Sequence, residues 1–196
     1  MKNRKHSKLI EEDEVLNDLM REYLSYVCLY SKMLRIHKIT IPQIVSFGKD
    51  KNQYFLYYEP EKPVSDKIII WVHGGGWNAG SPKYFDFVGQ CISNAGYRFV
   101  SIGYRLSPKN KYPCQIEDVC NGYKSAIRYL NEKKVSTLKV IVSGSSAGAH
   151  LTSILCYNKM MQEKYAVNVS NVVGFIGVGG PYSFSVMTSW TVKILL

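Results

Sequence analysis

The chain has 196 residues, 46% hydrophobic and 20% charged, and its charges sum to 25 − 15 = +10. That is enough for one domain with a sizeable core, and no internal repeat, low-complexity tract or Pro/Ser-rich linker divides it. Its lysines (Lys2, Lys5 and Lys8, then Lys133, Lys134 and Lys139) are scattered among acids rather than gathered into a basic stripe with aromatics, so no nucleic-acid partner is expected.

Cys28, Cys91, Cys114, Cys120 and Cys156 are odd in number, widely spaced and without a C-x-x-C pair. A disulfide framework or zinc site is not expected, no metal or cofactor is implied, and a reducing compartment fits. The N-terminus, MKNRKHSKLIEEDEVL, lacks the apolar region of a signal peptide, and no apolar run is long enough to span a bilayer. The expected location is cytoplasmic, with no transmembrane segment.

In chain order, residues 12–36 place Leu16, Leu19, Met20, Tyr23, Leu24, Val27, Tyr30 and Leu34 at steps of three and four. This period predicts a helix, assigned with its flanks to 8–38, packing on the domain as a possible lid. IPQIVSF (Ile41–Phe47) and QYFLYY (Gln53–Tyr58) flank the turn residues Gly48–Asn52 and predict an antiparallel hairpin at a sheet edge. Continuous apolar runs follow at Lys67–His73, Tyr97–Tyr104, Lys139–Gly144 and Val172–Gly179, as in strands buried on both faces. Helical stretches at Tyr84–Asn94, Gln115–Asn131 and Ala147–Lys164 separate them. The alternation predicts an α/β fold with a mostly parallel sheet flanked by helices, its core over residues 39–184.

Chemistry in such sheets sits at the carboxyl ends of the strands, and two of those ends carry unusual residues. One is VSGSSAGAH (Val142–His150), a strand, a G-x-S-x-G turn and a helix. Gly144 and Gly148 flank Ser146 because a Cβ at either would clash with the neighbouring strand and helix. The Ala147 N–H then lies at a helix N-terminus, where the dipole favours a developing oxyanion. The other is HGGGW (His73–Trp77), whose glycine run leaves backbone N–H groups free to donate to a negative oxygen. A phosphate loop would need G-x-x-x-x-G-K-[ST] or G-x-G-x-x-G, and neither is present. His73 is read as a structural histidine bracing the loop.

With both loops in view the chain resembles the α/β-hydrolase superfamily, in its hormone-sensitive-lipase-like and acetyl-esterase-like branch. The matching pieces are VHGGGWNAGS (Val72–Ser81), GYRLSPKNKYPCQIEDV (Gly103–Val119), VSGSSAGAHL (Val142–Leu151) and GVGGPYS (Gly177–Ser183), in family order. The resemblance implies a hydrolase of small carboxylic esters acting through an acyl-enzyme, with Ser146 as nucleophile. It implies oxyanion donors at Gly75, Gly76 and Ala147, Gly74 as loop former, and Arg105 and Asp118 as a structural pair below the site. Ser145 stands where many members have an aspartate. The histidine in SAGAH, His150, resembles small-acyl and polysaccharide-deacetylating esterases and formamidases. Trp77 beside the glycine loop, under an N-terminal lid, suits an apolar mouth for short acyl esters.

In this fold the acid and then the histidine follow the nucleophile. The last histidine here is His150 and the last acid Glu163. His6, His37, His73 and His150 offer no well-placed base. The expectation is a single, incomplete domain over residues 1–196, lacking the last two strand–helix units and with little activity alone. Two alternatives are a non-catalytic protein that binds an acyl ligand or a protein partner, and an enzyme completed by another chain. The last strand, left as an apolar edge, predicts self-association.

Overall fold

In the computed structural model the chain divides between Lys38 and Ile39, and residues 40–183 are described. The helix and lid assigned to 8–38 and the tail after Ser183 lie outside the described residues, as do His6 and His37. The described elements are β1 (Gln43–Ser46), β2 (Tyr54–Tyr58), β3 (Ile68–Val72), α1 (Asp86–Asn94), β4 (Arg98–Ile102), α2 (Cys114–Glu132), β5 (Val140–Ser145), α3 (Ala147–Tyr157), α4 (Lys159–Lys164) and β6 (Val172–Val178).

The strands form one six-stranded sheet in the order β1-β2-β4-β3-β5-β6. β1 and β2 pair antiparallel through the predicted hairpin, and β2 pairs antiparallel with β4. The pairs β3–β4, β3–β5 and β5–β6 are parallel. In the hairpin turn the Asp50 carboxylate accepts from the Asn52 N–H at 2.9 Å, a local bond that draws Asp and Asn into turns. This is an α/β-hydrolase arrangement, with helices on both faces.

Period-two alternation feeds two cores from the same strands. Phe55 and Tyr57 of β2, Ile68, Ile70 and Val72 of β3, and Val100 and Ile102 of β4 face α2 and α3, which contribute Ile116, Val119, Tyr123, Leu130, Leu151 and Leu155. Leu56, Tyr58, Trp71 and Phe99 take the other face, under Phe85, Val88 and Ile92. Burying each large side chain is worth about 1.5–3 kcal/mol, and the polar residues buried in the inner strands are the small serines Ser101 and Ser143.

Two helix boundaries depart from expectation. The stretch Ala147–Lys164 is two helices, because Asn158 takes an extended conformation and its side chain accepts from the Met161 N–H at 3.1 Å, capping α4. α1 starts at Asp86 rather than Tyr84, since the Ser81 hydroxyl accepts from the Tyr84 N–H and holds a turn there. On β6, Val173, Ile176 and Val178 are exposed, and no described strand pairs with its outer side. No described helix is long and apolar enough to cross a membrane.

Candidate active site

β3 and β5 are adjacent and in register, Val72 opposite Gly144, so the chain leaves both strands at the same level. The glycine loop and the serine turn therefore meet. A Cβ built on Gly74 would lie 3.3 Å from the Ser146 Cβ and 2.9 Å from the Ser145 carbonyl oxygen. Ser146 sits at φ 49° and ψ −117°, between the end of β5 and the start of α3. A left-handed φ at a non-glycine residue costs free energy that the surrounding packing must repay. The packing is visible at both flanking glycines. A Cβ on Gly144 would meet the Gly148 carbonyl at 2.6 Å, and one on Gly148 would meet the carbonyl oxygens of Val72 and His73 at 2.1 and 2.5 Å. Ser146 itself is exposed, while Ala147, Gly148, Ala149 and His150 behind it are buried.

Backbone donors surround the serine. The Ser146 N–H is used, donating to the Val178 carbonyl at 2.8 Å, which extends the β5–β6 ladder into the turn. Ala147 opens α3, and the Ser146 side chain makes no capping bond to the first turn. The positive end of the helix thus lies open beside the serine hydroxyl. In the glycine loop, Gly75 (φ 118°) and Gly76 (φ 56°) take conformations that a side chain disfavours. The Gly75 carbonyl is occupied, accepting from the N–H groups of Asn78 and Ala79. Among the described residues neither the Gly75 nor the Gly76 N–H donates to a backbone acceptor.

His73 is buried, and its ring stacks on Tyr104 with 4.3 Å between centroids. Its Nδ1–H donates to the Gly74 carbonyl at 2.8 Å, which places the proton on Nδ1 in the neutral ring. Burial, against that one bond, pushes its pKa down to about 4. That bond ties the ring to the backbone of the glycine loop. Asp118 is wholly buried and accepts from the Arg105 backbone N–H at 2.8 Å, the Arg105 guanidinium at 2.7 Å and the Gln53 amide at 2.7 Å.

His150 lies one helical turn after Ser146, and burial pushes its pKa down. Its ring meets Trp77 edge-on at 5.5 Å. Trp77 departs from expectation: it is buried, with 5% of its surface exposed. It stands as a buried wall against His150 rather than an open mouth, in a loop where its own φ is 62°. Among the described residues no group of three or more His, Cys, Asp or Glu could hold a metal.

The arrangement offers an exposed hydroxyl on a strained turn, with a helix terminus on one side and a glycine loop on the other. Such groups suit attack on a carbonyl carbon and stabilisation of the resulting oxyanion.

The BD-FAE family model matches residues 56–191. A kynurenine formamidase from Debaryomyces hansenii is 28% identical over 65% of this chain and 44% of its own length. Neutral cholesterol ester hydrolase 1 from Bos taurus is 36% identical over 50% of this chain and 25% of its own. Esterase B from Lactobacillus rhamnosis (HN001) superposes with a TM-score of 0.63 at 21% identity, over 87% of this chain and 58% of that one. The chain thus spans less than half of these two relatives and somewhat over half of the esterase.

Proposed function

The chain belongs to the BD-FAE family, in the hormone-sensitive-lipase-like branch of the α/β-hydrolases, and from that premise we propose that it is the nucleophile-bearing part of a serine hydrolase of carboxylic esters. Ser146 attacks the ester carbonyl and becomes acylated. The N–H groups of Gly75, Gly76 and Ala147 hold the tetrahedral oxyanion, with Gly74, Gly144 and Gly148 giving the two loops their close approach. The observation that carries this reading is the contact of the two loops, with Gly74 packed against Ser146. Small-molecule esters are the substrate class, since none of the residues from His73 to Trp77 or from Gly144 to Gly148 carries a charge that would select an ionic one. The ester hydrolases among the relatives support that class.

Neither described histidine is placed to act as the general base. His73 is committed to the glycine loop and stays neutral. His150 projects from the helix behind the serine toward Trp77. No acid follows Glu163. Loss of a triad member costs on the order of 10⁴–10⁶ in turnover and leaves the oxyanion hole acting alone. These 196 residues are therefore expected to hydrolyse p-nitrophenyl acetate at close to the rate of a Ser146→Ala variant, and to react slowly with a fluorophosphonate, with one adduct on Ser146. Robust turnover well above background that survives Ser146→Ala, or adducts formed equally well without Ser146, would overturn the assignment. Fast turnover lost in both Ser146→Ala and His150→Ala would make His150 the base.

A further inference from the structure

We propose that Tyr104 is a positioning residue for the oxyanion loop, its hydroxyl and ring together holding His73 so that Gly75 and Gly76 keep their place beside Ser146. The inference rests on the oxyanion role proposed above and adds a residue outside both motifs.

Tyr104 lies two residues past the end of β4, and His73 one past the end of β3. The two strands are parallel and in register, Val72 opposite Ile102, so the two residues leave the sheet side by side. Tyr104 is wholly buried. Its phenol is pushed well above the ordinary value by burial and stays protonated as a donor. That donor goes to the His73 carbonyl at 3.2 Å. Its ring lies 11° from parallel with the His73 imidazole. One side chain therefore grips both the backbone and the ring of the residue that opens the loop.

The loop closes around that grip. A Cβ on Gly80 would lie 2.7 Å from the His73 Nδ1 and 2.6 Å from the Gly74 carbonyl oxygen, so the returning chain passes directly against the imidazole. A second clamp comes from the same segment: the Ser107 N–H donates to the Trp77 carbonyl at 2.9 Å. The segment is itself pinned by Asp118, which accepts from the Arg105 N–H. It is also pinned by Gln115, whose amide donates to the Ser107 hydroxyl at 3.2 Å and the Asn110 carbonyl at 2.6 Å. Bonds at His73 and Trp77 bracket the three glycines, which have no side chains to hold themselves. Removing the Tyr104 hydroxyl leaves the His73 carbonyl buried, with the start of α3 packed against it. A buried acceptor that loses its donor must shift or admit water.

The test is Tyr104→Phe, which keeps the ring and its ring current while deleting the bond. The expected result is a displacement of the Gly75 and Gly76 amide signals in ¹H–¹⁵N spectra of the free protein. Phosphonylation of Ser146 should slow about three- to tenfold, the fold-change matching one lost hydrogen bond. In the parent, the Tyr104 hydroxyl proton should be a slowly exchanging resonance with an Overhauser contact to the His73 ring, a measurement that stands even if the variant does not fold. Unmoved glycine amides, or an absent hydroxyl resonance, would overturn the proposal. If the parent gives no Ser146-dependent adduct, it is the nucleophile assignment that fails, and the amide comparison still decides the role of Tyr104.

Discussion

Gly148→Ala puts a single methyl group into the closest contact of the serine turn. Its Cβ would stand 2.1 Å from the Val72 carbonyl oxygen and 2.5 Å from that of His73, about 1.3 and 0.9 Å short of the 3.4 Å at which ordinary contact begins. Both obstacles are backbone at the end of a central strand, so neither can rotate away. The start of α3 must lift from β3 instead. Overpacking of this kind costs about 1–3 kcal/mol and occasionally more, and the helical preference of alanine over glycine returns no more than about 1. A net loss of about 1–2 kcal/mol should lower the melting temperature by roughly 2–8 °C in a chain of this size. Gly174→Ala is the matched control, since its Cβ would lie 3.7 Å from an Ile141 side-chain carbon at an unremarkable φ. Replacing glycine inside a strand there should leave stability unchanged or raise it by up to about 1 kcal/mol. Urea unfolding followed by tryptophan fluorescence reports both. Equal stability of Gly148→Ala and the parent would refute the claim that α3 seats directly on the end of β3. Because Ala147 moves with the helix, phosphonylation of Ser146 should also slow in Gly148→Ala and not in Gly174→Ala.

The buried His73 makes stability depend on pH: the unfolded chain takes up a proton below its ordinary 6.5 while the folded ring resists until about 4. The His73 contribution should therefore be level above pH 6.5 and be lost as pH drops toward 4, by about 3 kcal/mol, and a His73→Asn variant that keeps the same pH slope would refute this. Asp118→Asn removes the buried carboxylate of a pair whose Arg105 is partly exposed and keeps Glu117 at 2.7 Å, and should cost about 1–3 kcal/mol by denaturant titration, whereas Asp66→Asn, which breaks only the exposed pair with Lys139, should change nothing measurable. The exposed side chains of β6 predict pairing between copies, so Ile176→Lys should lower the mass observed by sedimentation, and an unchanged mass would rule that edge out.

What could be read in advance follows from where the physics is local. β3, β4 and β5 announce themselves because burial on both faces leaves mostly apolar residues in each run, with only small serines between them. The turns around Ser146 and His73 are legible because a backbone that must pass within contact distance of another strand leaves no residue but glycine. The break at Asn158 was hidden, since LTSILCYNKMMQEK contains neither glycine nor proline and its cap is one asparagine that a helix would also accept. The burial of Trp77 is not legible, since the His150 ring it packs against lies 73 residues away on another element. Tyr104 was missed because its partner lies 31 residues away on another strand. An aromatic just past the end of a strand beside the loop-bearing one is the signal that could have found it.

The same geometry bears on the base. On the proposed reading two histidines stand within a few residues of the site, and different forces keep each from the serine. His73 is locked by stacking and by its bond to Gly74, and desolvation denies it the imidazolium form that a base must reach after taking a proton. His150 is carried by α3 into a wall it shares with Trp77, on the buried side of the turn. Gly74 closes a further side. The helix terminus and the glycine loop must stay clear for the oxyanion. Among the described residues the remaining approach to Ser146 is its exposed face, so a catalytic imidazole and the carboxylate that orients it would have to sit there. Appending a segment that places both there should raise turnover by orders of magnitude without altering the β3–β5 register, because the oxyanion donors it would serve are already set by the sheet.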